Sequence, residues 1–245
     1  MTKFALVTGG SAGIGKATAI KLAAHGYTVA VTGRRQDALD ATVADMGGGL
    51  AVAADVTDAG QVDGLFDTLR SEFGRLDVLF NNAGNNVTAA PIGDIPPEDF
   101  MKVINVNLYG AFLCARGAFN LMRDQDPQGG RIINNGSISA AVPRPGSTPY
   151  TSSKHAITGM TRSISLDGRA FNIACGQIDI GNTASDMTTR MQTGVQQADG
   201  SIKPEPVMDV ENVAKSVLHM ADLPLDANVQ FMTVMATAMP FIGRG

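Results

Sequence analysis

Tyr150 and Lys154, in "PYTSSKHAI" (149–157), stand four residues apart. On a helix that spacing puts both side chains on one face. A lysine cation close to a phenol favours phenolate and lowers the tyrosine pKa from its ordinary value near 10. A tyrosine tuned in this way can give or take a proton near neutral pH. Carbonyl reduction needs such an acid, because hydride arriving at carbon leaves negative charge on oxygen. Taken alone, the pair reads better as two incidental helical neighbours. Two further polar residues accompany it. Ser137, in "INNGSIS" (133–139), lies thirteen positions before Tyr150, where an apolar run ends. Asn107, in "VINVNLYG" (103–110), falls inside a long helical pattern, where asparagine has poor intrinsic propensity. By itself it reads as a buried amide satisfied by backbone.

A second chemical feature opens the chain. "LVTGGSAGIGKAT" (6–18) satisfies most of the P-loop pattern G-x-x-x-x-G-K-[ST] from Gly10 to Lys16, but Ala17 stands where a hydroxyl must reach Mg²⁺. The strict G-x-G-x-x-G fingerprint also fails, because the glycines run Gly9-x-x-x-Gly13-x-Gly15. The turn joins a strand to a helix, so its backbone can approach a ligand while the helix N-terminus offers free N–H groups to an anion. A purely structural turn is the alternative. An NTPase would also need an acidic residue at a strand end to organise Mg²⁺. Here strand 2 ends in "TGRRQDAL" and strand 4 in "NNAGN", and only Asp55, after strand 3, is acidic.

The elements that must position these residues alternate regularly. Apolar runs at 4–7, 28–31, 50–53, 78–80, 132–133, 171–174 and 231–234 read as buried parallel strands. Helical spacing covers 13–25, 35–46, 58–73, 97–123, 150–168 and 210–221. The alternation predicts an α/β fold: one doubly wound domain over 1–245 with helices on both faces of a single sheet. No linker divides the chain. The longest polar, breaker-rich stretch is 191–209, which reads as part of a substrate lid at 183–209 or as a mobile connection.

Composition narrows the function classes. Of 245 residues, 44% are hydrophobic and 17% charged, and the net charge is −4 with no lysine or arginine block. That argues against a nucleic-acid surface. No apolar run approaches the roughly 20 residues of a membrane span, and no charged-then-apolar leader is present. Cys114 and Cys175 are far apart and read as reduced thiols of a cytoplasmic protein. His25, His155 and His219 show no metal-ligand spacing, so no metal site is expected.

Taken together, "TGGSAGIG", "NNAG", "NVN", the serine of "NGS" and "YTSSK" resemble the classical short-chain dehydrogenase/reductase family, in unbroken order from Lys3 to about Leu166. The resemblance implies a Rossmann-type sheet of about seven parallel strands in the order 3-2-1-4-5-6-7. It implies that Tyr150 is the acid/base, that Lys154 lowers its pKa and binds the nicotinamide ribose, and that Ser137 hydrogen-bonds the substrate oxygen. Asn107 would position a water linking Lys154 to a proton relay. The cofactor residues implied are Gly9, Ser11, Gly13, Ile14 and Gly15 in the turn, Asp55 and Val56 at the adenine, and Asn82, Ala83 and Gly84 along the cofactor. Ile178 would offer its backbone to the nicotinamide carboxamide. Family members are commonly tetramers or dimers, so a homo-oligomer is expected.

A preference for NAD(H) calls for an acidic residue at the end of strand 2. That place reads Thr32-Gly33-Arg34-Arg35, and two guanidinium groups suit the 2′-phosphate of NADP(H) instead. The expectation is therefore an NADP(H)-dependent oxidoreductase interconverting a small-molecule carbonyl and alcohol. The alternatives are a 3-oxoacyl-carrier-protein reductase, with Arg131 and Arg169 meeting an acidic partner, and a non-catalytic dinucleotide sensor. The chain departs from the family after strand 6, where "IACGQIDIGNTASDM" (173–187) has Cys175 for the usual proline and Ile180 near the usual threonine. Its tail, "FMTVMATAMPFIGRG", is also atypical.

Overall fold

The computed structural model of the protein describes residues 2–184, 191 and 193–242. The apolar runs become strands and the periodic stretches become helices in near-strict alternation. They are β1 (Lys3–Thr8), α1 (Gly13–Ala24), β2 (Tyr27–Gly33), α2 (Gln36–Met46), β3 (Leu50–Ala53), α3 (Ala59–Phe73) and β4 (Val78–Asn81). After these come α4 (Pro97–Ile104), α5 (Ala111–Asp124), β5 (Gly130–Asn135), α6 (Thr148–Asp167) and β6 (Ile173–Ile180). A short antiparallel hairpin, β7 (Val195–Gln196) and β8 (Ile202–Lys203), precedes α7 (Val210–Asp222) and β9 (Phe231–Val234).

The main sheet has seven parallel strands in the order β3-β2-β1-β4-β5-β6-β9. This is the doubly wound Rossmann architecture expected, with the inserted hairpin making the last sheet strand the ninth in the chain. Leu22, Leu39, Val213 and Val217 bury one face of the sheet under α1, α2 and α7. Leu65, Leu69, Leu113 and Ala118 bury the other under α3 and α5. Local chemistry sets the ends: Asp58 caps α3 by accepting Gln61 N–H at 3.0 Å, and Gly74, at φ 71°, closes it in the left-handed region. Strand order reverses between β1 and β4, so a crevice opens beyond their carboxyl ends, where this architecture binds ligands.

Three local expectations are corrected. The helix read over 97–123 is interrupted by a π-helical turn, Asn105–Gly110, between α4 and α5. Strand β6 starts at Ile173, because Phe171 closes a 3₁₀ turn and Asn172, at φ 56°, sits in the left-handed region that ends it. Arg131 is no surface residue for an acidic partner: it is 1% exposed. Its guanidinium donates to Asn228 Oδ1 at 2.8 Å and to the carbonyls of Leu223, Pro224 and Ala227 at 2.9–3.1 Å. Three carbonyls at and beyond the negative end of α7 hold the cation inside.

Candidate active site

Gly9, at φ 65°, and Gly13, at φ 51°, both adopt backbone that glycine alone takes without cost. Gly15 has no room for a side chain: a Cβ there would lie 2.2 Å from the Gly9 carbonyl oxygen. The turn is braced from β4. Asn82 Nδ2 donates to Thr8 O, while the N–H groups of Asn82 and Ala83 both donate to Thr8 Oγ1, all at 2.9 Å. The result is a backbone cradle at the N-terminus of α1, fitted to an anion. Lys16 faces away from it and pairs with Asp45 at 2.7 Å. Arg34 and Arg35 stand exposed at the end of β2, and neither guanidinium has a side-chain partner among the described residues. Asp55 Oδ1 accepts from the backbone and hydroxyl of Thr57 at 2.9 and 2.8 Å, which shapes the turn after β3.

The turn from Gly9 to Gly15, Arg34, Arg35, Asp55 and Thr57 line one cleft of about 1000 Å³ that continues past Asn82–Gly84 to Ser137, Tyr150 and Lys154. Such a volume stands at the upper end for a ligand site. The glycine cradle, the free arginines and the length of the cleft fit a dinucleotide.

At the far end, α6 delivers Tyr150 and Lys154 on one face, as their spacing requires. Lys154 is buried, its Nζ donating to Asn135 O at 2.7 Å and lying 5.6 Å from the Tyr150 ring centroid. Burial pushes the Lys154 ammonium down to about 8, with the carboxylate of Asp179 opposing. Burial also raises the Tyr150 phenol, while a hydrogen bond from Ser137 lowers it. The expected lowering by Lys154 does not emerge in the site as it stands: desolvation dominates, and Ser137 is the group that favours phenolate. Ser137 Oγ also accepts Ser139 N–H at 3.1 Å.

Asn107 lies on the π-helical turn and is buried. Its Oδ1 accepts Asn85 N–H at 2.8 Å, and its Nδ2 reaches Asn85 O at 3.0 Å and Ser153 Oγ at 3.2 Å. It thereby ties the loop after β4 to α6. π-Turns of this kind recur at functional sites.

Ile178 is not at the cleft. Its side chain is fully buried and its carbonyl accepts Gly136 N–H at 2.8 Å. β6 runs on to Ile180, and Ile180, Gly181, Asn182 and Thr183 line the cleft there. Cys175 is a buried thiol beside Asn134 Nδ2, at 3.7 Å, and burial pushes it up to about 12.

The structure adds residues that motif reading passes over. Arg144, on the loop between Ser137 and Tyr150, grips Glu205 with Nη1–Oε1 at 2.7 Å and Nη2–Oε2 at 2.5 Å. Asn182 Nδ2 and Gln197 Nε2 donate to the same carboxylate at 2.7 and 3.0 Å. Burial would raise the Glu205 carboxyl, but these hydrogen bonds and the Arg144 charge bring it down to about 2. Asp179 accepts Ser137 N–H at 2.9 Å. The alternation of polar 177 and 179 with Ile178 and Ile180 is the sequence signal that marks its side of the strand. Residues 185–190 and 192 of the expected lid lie outside the described residues.

Among the described residues, no group of three or more His, Cys, Asp or Glu is gathered to hold a metal, and no helix is long and apolar enough to cross a membrane. The short chain dehydrogenase family model matches residues 3–196. The chain is 34% identical to a 3β-hydroxysteroid dehydrogenase of Mediterraneibacter gnavus, over 79% of this chain and 71% of that protein. It is 38% identical to a 3-oxoacyl-[acyl-carrier-protein] reductase of Synechocystis sp., over 76% of each. The crystal structure of an acetoin dehydrogenase from Enterobacter cloacae superposes with a TM-score of 0.81 at 32% identity, over 96% of this chain and 94% of that one. Motifs, sheet order and sequence similarity agree: the chain belongs to the short-chain dehydrogenase family of oxidoreductases.

Proposed function

We propose that the protein is an NADP(H)-dependent oxidoreductase that interconverts a ketone or aldehyde and an alcohol, with Tyr150 as its acid/base. The observation that carries this reading is the convergence of Ser137, Tyr150 and Lys154 at one end of the cleft whose other end holds the glycine cradle and Arg34. The dinucleotide supplies the hydride. In the reduction, the Tyr150 hydroxyl gives its proton to the carbonyl oxygen as negative charge develops there. Ser137 donates its hydroxyl hydrogen to the same oxygen and orients it. Lys154 stabilises the phenolate left behind, its Nζ anchored on Asn135 O and free to donate two further hydrogens to a ribose. Asn107 holds the loop after β4 against α6, and the water assigned to it rests on the family resemblance.

At the other end, the N–H groups of the turn from Gly9 to Gly15 would take the pyrophosphate. Arg34, with Arg35 beside it, would take the 2′-phosphate. Asp55 and Val56 would flank the adenine, and Asn82–Gly84 would back the cofactor.

The carrier-protein variant of this reading loses one of its two arginines, since Arg131 is buried and only Arg169 remains at the surface. A small-molecule carbonyl is the favoured substrate class. We further propose a cytoplasmic homo-oligomer, dimer or tetramer, supported by the exposed stacked pair Tyr109–Phe112, with ring centroids 6.5 Å apart.

Calorimetric titration with NADPH and NADH, followed by a carbonyl panel at saturating cofactor, tests the reading. NADPH binding with turnover that Tyr150→Phe abolishes is the expected result. Wild-type turnover by Tyr150→Phe would remove the assigned acid/base.

A further inference from the structure

We propose that Asp179 is a positioning residue of the reaction, fixing Ser137 through its backbone N–H and supplying a negative charge that acts on Lys154. The inference rests on the proposed roles of Ser137, Tyr150 and Lys154.

The geometry comes from the segment where the chain departs from its family. In β6, Ile178 and Ile180 turn into the core, while Gln177 and Asp179 turn towards α6 and the end of β5. Asp179 Oδ1 accepts Ser137 N–H at 2.9 Å and Gln177 Nε2–H at 2.7 Å. Gln177 is itself held, donating to Thr158 Oγ1 at 3.0 Å and accepting from Thr161 Oγ1 at 3.1 Å. Thr161 in turn accepts Asn134 Nδ2–H at 2.9 Å. The carboxylate thus has a fixed orientation, supported from both α6 and β5. Room for it comes from Gly136: a Cβ there would lie 2.1 Å from Asp179 Oδ1 and 2.7 Å from Gln177 Nε2. The glycine of "NGS" and the "QID" of β6 are therefore one steric device, and it ends on the N–H of Ser137.

Among the described residues, α6 supplies the ionisable groups that interact with the carboxylate, Lys154 and Tyr150, while the nearby ends of β5 and β6 supply the neutral Asn134, Asn135 and Gln177. Burial raises the Asp179 carboxyl, against the hydrogen bonds from Gln177 and Ser137 and the charge of Lys154. Its negative charge acts back on α6, raising both Lys154 and Tyr150. Both groups must keep their protons for carbonyl reduction. Removing the charge therefore moves their loss of protons to lower pH.

Asp179→Asn keeps an oxygen acceptor for Ser137 N–H and removes the charge, whereas Asp179→Ala removes both. For Asp179→Asn, kcat in mildly acidic buffer should stay near that of the wild type. The alkaline limb of the reduction profile should fall by about one pH unit. Without cofactor, the tyrosinate absorbance that Tyr150→Phe abolishes should likewise appear at lower pH. For Asp179→Ala, kcat should drop about tenfold or more across the profile, with the Kd for NADPH unchanged. A pH profile and tyrosinate titration of Asp179→Asn that superimpose on the wild type would overturn the charge role. Full kcat in Asp179→Ala would overturn the positioning role. In either case an inactive Tyr150→Phe leaves the proposed function standing, and an active one removes that function first.

Discussion

Arg34 is a cation placed where a helix is about to begin, beside the positive end of the α2 dipole, with no carboxylate to hold it among the described residues. A surface arginine so placed gains little from the fold, which is what the proposed 2′-phosphate contact would offset. Arg34→Ala should weaken NADPH by about 1.5–3 kcal/mol, or roughly 10–150-fold, as expected for hydrogen bonds to a charged group. NADH, which lacks the 2′-phosphate, should be nearly unaffected, and equal losses in calorimetry would remove the assignment. At this scale the sequence was informative where chemistry follows from residue type and spacing. Tyr150, Lys154, Ser137 and the glycines were legible because each belongs to a short local pattern. Asp179 and Glu205 were not, because each depends on partners far along the chain: Ser137 lies 42 residues from Asp179, and Arg144 lies 61 from Glu205. The direction of the Tyr150 shift was hidden for a related reason, since desolvation is a property of packing and no spacing encodes it.

The elements were legible to the extent that their periodicity was unbroken. The interruption of the long helix by Asn105–Gly110 leaves the apolar pattern nearly intact, so only the asparagine hinted at it. The polar stretch at 191–209 contains a hairpin too short to leave a strand signal, yet it is stitched to the cleft. Glu205, with a side chain 1% exposed against 15% for Arg144, joins this stretch to the loop before Tyr150. Removing one partner of a buried pair strands the other charge, so Glu205→Gln should destabilise the fold by about 3 kcal/mol. The pH dependence has a definite sign. The Glu205 carboxyl is lower in the fold than its ordinary 4.5, so its contribution is complete above that pH and fades as pH falls towards about 2. Thermal melts of the two proteins should differ at neutral pH and converge in acid. A gap that persists unchanged in acid would point to packing instead of charge.

For the whole molecule, the doubly wound architecture followed from alternation and the strand order from the family resemblance, while no oligomer surface was legible in the sequence. Tyr109 and Phe112, 44% and 47% exposed, stack on each other at the junction of the π-turn and α5. This stacked pair is the surface on which the proposed homo-oligomer can be tested. Phe112→Glu should lower the mass measured by light scattering without unfolding the chain. An unchanged mass would place the contact elsewhere. The buried Arg131 has a consequence for how the family's boundaries are understood. Every diagnostic motif lies within 3–196, yet the four acceptors that hold this guanidinium, on Leu223, Pro224, Ala227 and Asn228, all lie beyond it. A piece of the chain cut at Gln196 would keep the whole signature of its kin and would leave a cation in its interior with nothing to bind, beside a β6 edge stripped of β9. Kinship and self-sufficiency therefore have different lengths in this chain, and the unmarked fifth is what makes the marked four fifths a molecule.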